Sequence, residues 1–254
     1  MKKVIALIGS RAGNQSNTKE LCGRLIGALS KAFNEEFISE VLTADTWNIN
    51  NCLSCNCCFH KGYCAQDSLD NMSTIKEKIL AADIVILASP VFACNVSGDM
   101  KTLIDRLSLW LHLMPLIGKI GIPLCTTSNN HSNRVIEYLT EILEYMGASI
   151  PTDIRAFIHG GGILMSDEEN LNHYLKEKAD FIWKEYINGL KFSKKQEAYF
   201  EHQNKRYAKH IKFSELYPSL SKDLTEAKLW QEAGFDKCTS IYNVLQNRLA
   251  EERI

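Results

Sequence analysis

The chain predicts an α/β three-layer sandwich with a five-stranded parallel sheet and a C-terminal helical extension. Three observations carry that expectation. Short apolar runs of strand length alternate with segments of helical periodicity up to about residue 190, the mark of βαβ units. The loops after the first, third and fourth runs are rich in Gly, Ser, Thr, Asn and Pro, as binding loops at the carboxyl edge of such a sheet are. From about Lys191 the composition turns to Lys, Glu, Tyr and Gln with no convincing strand.

The elements follow in order. Residues 4–8, 36–42, 84–88, 120–126 and 154–158 read as buried strands. Residues 18–31 carry Leu21, Leu25, Ile26 and Leu29 at helical spacing, and residues 67–82 carry Leu69, Met72, Ile75 and Ile79 in the same way. Helices over 97–113, 132–146 and 166–187 complete the set, the last two opening on Ser with acidic residues near by. Each connection is expected to join parallel neighbours. The division is residues 1–190 as the sheet domain, with a cysteine-rich insertion at 51–65, and residues 191–254 as the extension, broken at Pro218. The extension reads as a packing or dimerisation arm; alternatively its aromatics, such as Tyr217 and Trp230, close over the active site.

The 254 residues carry a formal charge of −1 with acids and bases interspersed, which argues against a nucleic-acid or acidic-lipid partner. The apolar run after Lys2 and Lys3 is too short for a signal segment. No stretch approaches the roughly 20 residues that cross a bilayer. The nearest, 107–122, is interrupted by His112, Pro115 and Lys119. A soluble, cytoplasmic protein is expected, with no membrane partner. Its nine cysteines, an odd number in a chain of this size, read as reduced thiols.

Residues 9–18, Gly-Ser-Arg-Ala-Gly-Asn-Gln-Ser-Asn-Thr, open the first helix with small and hydroxylated side chains. Free N–H groups and the positive end of the helix dipole favour a phosphate there, with Ser10, Ser16, Asn17 and Thr18 as further donors. The loop is neither a Walker A sequence nor a GxGxxG fingerprint, so a monophosphate such as that of FMN suits it. After the third strand Pro90 shapes a loop and Phe92 offers an apolar contact for a flat ring. After the fourth, Thr126, Thr127, Ser128, Asn129 and Asn130 supply hydroxyls and amides for the ring's polar edge.

These loops, with Ser97-Gly-Asp-Met-Lys, Ile104-Asp-Arg106 and the cysteine run before residues 67–72, resemble the NADPH-dependent FMN reductase family, and within it the iron–sulfur flavoproteins. The resemblance covers about residues 1–190. It implies a flavodoxin-like fold, bound FMN, NAD(P)H as a possible co-substrate, and homodimers or homotetramers. By position it implies that Ser10, Arg11, Ser16, Asn17 and Thr18 hold the phosphate, while Pro90, Val91, Phe92 and Asn95 line the isoalloxazine.

Residues 52–64 hold five thiols within thirteen positions. Read as Cys52, Cys55, Cys58 and Cys64, the spacing is C-x2-C-x2-C-x5-C, close to compact iron–sulfur runs. Thiolates suit iron–sulfur centres and zinc alike. The neighbouring flavin loops favour a 4Fe-4S cluster, with zinc, free thiols or a redox disulfide as alternatives. Two departures from the family pattern stand out. Cys57 lies directly beside Cys58, and two acids that the family often places together are separated here as Asp67 and Asp70. His60 and His112 read as packed or solvent-facing, Cys94 as a small buried hydrophobe, and Cys22, Cys125 and Cys238 as structural.

The expected function is an FMN-dependent oxidoreductase. Electrons would pass from a ferredoxin-like or nicotinamide donor, through a 4Fe-4S cluster and FMN, to a small acceptor, for which the resemblance suggests oxygen, peroxide or a quinone-like molecule. No side chain need act as acid or base. The rivals are a cluster-free NAD(P)H-dependent FMN or quinone reductase and a flavodoxin-like electron carrier.

Overall fold

A computed structural model of the chain describes residues 1–159, 162–164, 168–219 and 223–251. The sheet is built from β1 (Lys3–Ile8), β2 (Ile38–Thr43), β3 (Ile84–Pro90), β4 (Ile120–Thr127), β5 (Ile154–His159) and β6 (Gly162–Leu164), in the order β2-β1-β3-β4-β5-β6. The first five are parallel, with Ala6 beside both Val41 and Ile86, and Ile86 beside Ile122. The sixth is a correction to the expected five. It runs antiparallel to β5 through Phe157, Ile158 and His159, and three residues are too few for a periodic signal.

Helices α1 (Asn17–Phe33) and α7 (Glu168–Ile187) cover one face. Leu21, Leu25 and Leu29 of α1 and Leu171, Leu175 and Ile182 of α7 pack there against Val4, Ile8, Ile86 and Ile122. The sequence places the start of α7 at Ser166, which lies outside the described residues. On the other face lie α3 (Met72–Ala81), α4 (Gly98–Arg106) and α6 (Ser132–Tyr145). Met72, Met100, Leu103 and Leu139 meet Ile5, Leu7 and Leu87 in that second core. Every residue of β4 is buried, Pro123 included. Gly121 donates its N–H to Ser149 O on the β5 side; Pro123, two residues on, faces the same side, where residues 150–153 are irregular and the missing N–H leaves no ladder bond unmade.

Two expected helices are redrawn. The one drawn over 67–82 begins at Met72, because residues 64–71 fold as turns with Asp67 N–H on Cys64 O and Leu69 N–H on Gln66 O. Leu69 is therefore 71% exposed and off the covering face. The one over 97–113 divides into α4 and α5 (Ser108–Leu113) at Leu107, where the Ser108 hydroxyl donates to Asp105 O. A short helix, α2 (Cys57–Lys61), lies in the cysteine run.

The last quarter holds α8 (Lys194–Leu216), α9 (Thr225–Glu232) and α10 (Ile241–Glu251). Ser193 and Gln196 form a capping box at the start of α8, and Pro218 follows its end. These helices gather a third core of Phe200, Tyr207, Trp230, Phe235 and Ile241, which reaches back to Met114 and Ile117. Trp230 is wholly buried in it and Tyr217 is 51% exposed, so Trp230 serves packing.

Candidate functional site

The strand order reverses between β1 and β3, so the loops leaving these two strands flank the switch point where open α/β sheets bind ligands. Sequence and packing draw the loops tightly together there. A Cβ on Gly9 would lie 2.4 Å from Ser97 Oγ and 2.8 Å from Met100 Cβ, so only glycine lets the end of β1 meet the start of α4 this closely. Ser97 caps α4 by accepting from Met100 N–H, and its own N–H donates to the buried Ser89 Oγ. Arg11 reaches across to Asp99 with two bonds of 2.9 and 2.7 Å.

Of the residues expected at a phosphate, Ser10 and Ser16 are buried together, with Ser16 Oγ donating to Ser10 Oγ at 3.0 Å. Ser16 also caps α1 by accepting from Lys19 N–H. The N–H groups of Asn17 and Thr18 stand in the first turn, where no intrahelical acceptor exists. The Thr18 hydroxyl is 2.6 Å from that of Thr126, both buried, and so ties α1 to β4. Arg11 is exposed and engaged by Asp99, whose hydrogen bonds hold the guanidinium above its usual pKa.

Of the residues expected at the ring, Val91 donates its N–H to Thr126 O, joining the β3 loop to β4. Phe92 and Asn95 then close a tight turn by exchanging both backbone bonds at 2.9 Å. The two residues between them, Ala93 and Cys94, have φ of 45° and 65°, a left-handed pair that non-glycine residues seldom adopt. The turn presents Phe92 at 58% exposure, and Cys94 is exposed, contrary to the buried role expected for it. Thr127 spends its hydroxyl on its own loop, donating to Asn130 O and accepting from Asn129 N–H, while Ser128 is exposed.

The cysteine run is fastened to the same corner by a residue to which the sequence reading gave no role. Arg106, at the end of α4, is buried and donates to Asp70, to Asp67 at 2.9 Å and to Asn50 O at 2.9 Å. Asp70 also accepts from the N–H groups of Asn50 and Met72. Thr102 reaches Asn51 from the same helix. Both ends of the run, residues 50–51 and 67–70, are thus bound to α4. Burial opposes the charge on Arg106, but the bonds from Asp70, the field of Cys64 and the bond from Asp67 hold its pKa above the usual range. Burial pushes Asp70 up, yet the bonds from Arg106, Asn50 and Met72 hold it below the ordinary carboxylate range. The signal in the sequence was an arginine on the apolar stripe Leu103, Ile104 and Leu107, with two acids ahead of a helix.

Within the run, Cys52 and Cys55 are exposed and Cys57, Cys58 and Cys64 half-buried. Burial pushes the Cys58 thiol up, and Cys64 and Cys52 add to the rise, so each of these two lies within electrostatic reach of Cys58. Ser54 N–H donates to Cys52 Sγ at 3.5 Å. Among the described residues no three His, Cys, Asp or Glu side chains are gathered closely enough to enclose a metal. Cys22, Cys125 and Cys238 are buried as expected. His60, still 61% exposed, pairs with Asp223, and the half-buried His112 pairs with Glu226.

Comparison with known proteins fits this geometry. The model of the family described as NADPH-dependent FMN reductase matches residues 2–161. An iron–sulfur flavoprotein of Archaeoglobus fulgidus is 33% identical over 148 residues, which are 57% of this chain and 64% of that protein. One from Methanosarcina thermophila is 27% identical over 171 residues, 66% of this chain and 84% of that protein. The match thus takes in less than two thirds of the first relative's length. Among solved structures, RosB with a bound 8-demethyl-8-formylriboflavin-5'-phosphate intermediate superposes with a TM-score of 0.56 at 15% identity, over 74% of this chain and 81% of that one, a likeness of fold.

Proposed function

Because this chain belongs to the NADPH-dependent FMN reductase family, we propose that it is a flavin-dependent oxidoreductase that binds FMN on the loops after β1, β3 and β4. We propose further that it carries a 4Fe-4S cluster on Cys52, Cys55, Cys58 and Cys64. The observation that carries the reading is the shared anchor. Helix α4 starts against Gly9 at the switch point and ends on Arg106, which fastens the cysteine run, so one rigid element spans both candidate sites.

The residues fit an FMN phosphate. The first-turn N–H groups of Asn17 and Thr18, beside the Ser10 and Ser16 hydroxyls, form a donor set for a phosphate dianion. Arg11, held by Asp99, contributes positive field at the rim. Pro90, Val91, Phe92 and Asn95 form a rigid turn whose backbone and exposed ring line a flat ligand, and the loop of Thr127 and Ser128 offers hydroxyls at its edge. The thiols fit a soft metal centre by donor type; ligands that must first lose protons close on the metal as it loads. When bound, a cluster would exchange single electrons and the flavin one or two, joining one-electron donors to two-electron acceptors. The chain's own part is to bind, to orient and to keep the two sites at a fixed separation.

The donor is a ferredoxin-like protein or a nicotinamide, and the acceptor a small molecule. A second reading, a cluster-free reductase taking electrons directly from a nicotinamide, is favoured by the family's description. One experiment separates them. Protein purified without oxygen is analysed by its visible spectrum and for iron, sulfide and zinc. Flavin bands with about four iron and four sulfide per chain are expected. Flavin with steady nicotinamide oxidation and no iron gives the second reading, and absence of flavin overturns both.

A further inference from the structure

The extension packs on the cysteine run, 163 residues away in sequence between His60 and Asp223. Thr225, the first residue of α9, donates its hydroxyl to His60 O at 2.7 Å. The Asp223 carboxylate pairs with His60 Nδ1 and accepts from Thr225 N–H at 2.9 Å. One turn along α9, Leu229 lies against Gly62, where a Cβ would sit 3.4 Å from Leu229 Cδ1. Gly62 ends α2 in the left-handed region at φ 79°, with its N–H on Cys58 O, so glycine there serves both the turn and the contact. On the far side of α2, the Phe59 ring stands 5.0 Å from that of His112. His112 Nδ1 is 2.8 Å from Glu226 Oε2, which also accepts from Tyr207. The wholly buried Tyr207 and Trp230 thus connect through Glu226 and His112 to the helix that bears Cys57 and Cys58.

We propose that the extension is a brace for the cysteine run, with Thr225 and Leu229 as positioning residues that hold α2, and through it Cys58, at a fixed place against α5 and α9. A five-residue helix cannot sustain itself; its conformation is set by what it packs against. Arg106 fastens the two ends of the run, at Asn50 and at Asp67. The middle is held by α9 and α5. The brace is a property of the metal-free chain, and its consequence for metal loading rests on the reading of the four cysteines as ligands.

The test compares the full-length protein with Thr225→Val, Leu229→Ala and Thr225→Ser. In the metal-free protein, amide exchange over residues 59–62 and alkylation of Cys57 and Cys58 by iodoacetamide are both read by peptide mass spectrometry. Both are expected to rise about fivefold to tenfold in Thr225→Val and Leu229→Ala, the factor a net hydrogen bond or a small apolar contact contributes. They return to the starting value in Thr225→Ser, while peptides of α1 and α7, which report global folding, do not change. After anaerobic reconstitution, the two weakened variants are expected to lose iron to a chelator correspondingly faster. Unchanged exchange and alkylation, or a rise that serine does not reverse, overturns the brace. A rise in a protein whose parent takes up no iron upholds the brace and overturns the ligand assignment instead.

Discussion

Arg106 and Asp70 form an ion pair in which neither side chain retains any exposure to solvent. It joins α4 to the chain just before α3, across 36 residues. Asp67 completes the arrangement from the exposed side, itself bound to Lys76 at 2.6 Å. The two acids, three residues apart, thus both reach the one guanidinium.

Replacing Arg106 by Leu would strand Asp70 in the interior. Loss of about 3–5 kcal/mol in urea unfolding is expected, the cost of a buried charge left without its partner. The double variant with Asp70→Asn should recover part of it, because the stranded charge is gone. Equal losses in the single and double variants would show that packing, not charge, dominates.

Acid should reveal the same pair. The folded pKa of Asp70 lies below its unfolded value of about 3.9, so its stabilisation is fully present above that value and is lost as pH falls through the folded pKa. Glu226 behaves alike: burial raises it, but bonds from His112 and Tyr207 bring it below the ordinary range. Unfolding free energy measured from pH 7 down to pH 2.5 should therefore decline most steeply below about pH 4. Asp70→Asn should flatten that decline.

Gly9→Ala is expected to separate β1 from α4. The added methyl meets Ser97 Oγ at 2.4 Å, and overpacking of this kind costs about 1–3 kcal/mol. Because the displaced loop carries Ser10, FMN retained through gel filtration should fall by far more than stability alone explains. A variant that keeps its flavin would move the phosphate site elsewhere.

Cys55→Ser should abolish iron binding and leave FMN in place, since Cys55 is exposed and contributes nothing to the cores. Retention of iron would remove Cys55 from the ligand set; loss of flavin as well would mean the two sites are not separable.

Alkylation of the native metal-free protein near pH 8 should divide the thiols. Cys52, Cys55 and Cys94 are exposed and should react first. Burial raises Cys22 and pushes Cys125 up to about 12, so both should stay unmodified until denaturant is added.

Five strands and the helices of the sheet domain were legible because each buries a continuous or periodic apolar set, and periodicity is a local signal. β6 was not, being three residues long. Leu69 was drawn onto a helix by its spacing from Met72, but Asp70 accepting from Met72 N–H starts the helix later. That the loops after β1, β3 and β4 leave one edge of the sheet followed from the alternation of strands and helices. Their internal wiring could not: Thr18 with Thr126, Arg11 with Asp99 and Arg106 with Asp70 are long-range pairs of polar residues, and no spacing rule announces them. The same holds for Thr225 on His60 O, which makes the extension, read from sequence as a packing or dimerisation arm, a neighbour of the cysteine run.

Between Ile49 and Met72 no apolar residue enters the buried clusters, and the segment's hydrogen bonds to α4 run through guanidinium, carboxylate, amide and hydroxyl groups. Its fastening to α4 therefore rests on a few polar residues, of which the Arg106–Asp70 pair also bears on the stability of the fold. A change within residues 52–64 that spares Asn50, Asn51, Asp67 and Asp70 therefore leaves the fastening to α4 in place, whereas a change at Arg106 is felt by the run and by the fold together.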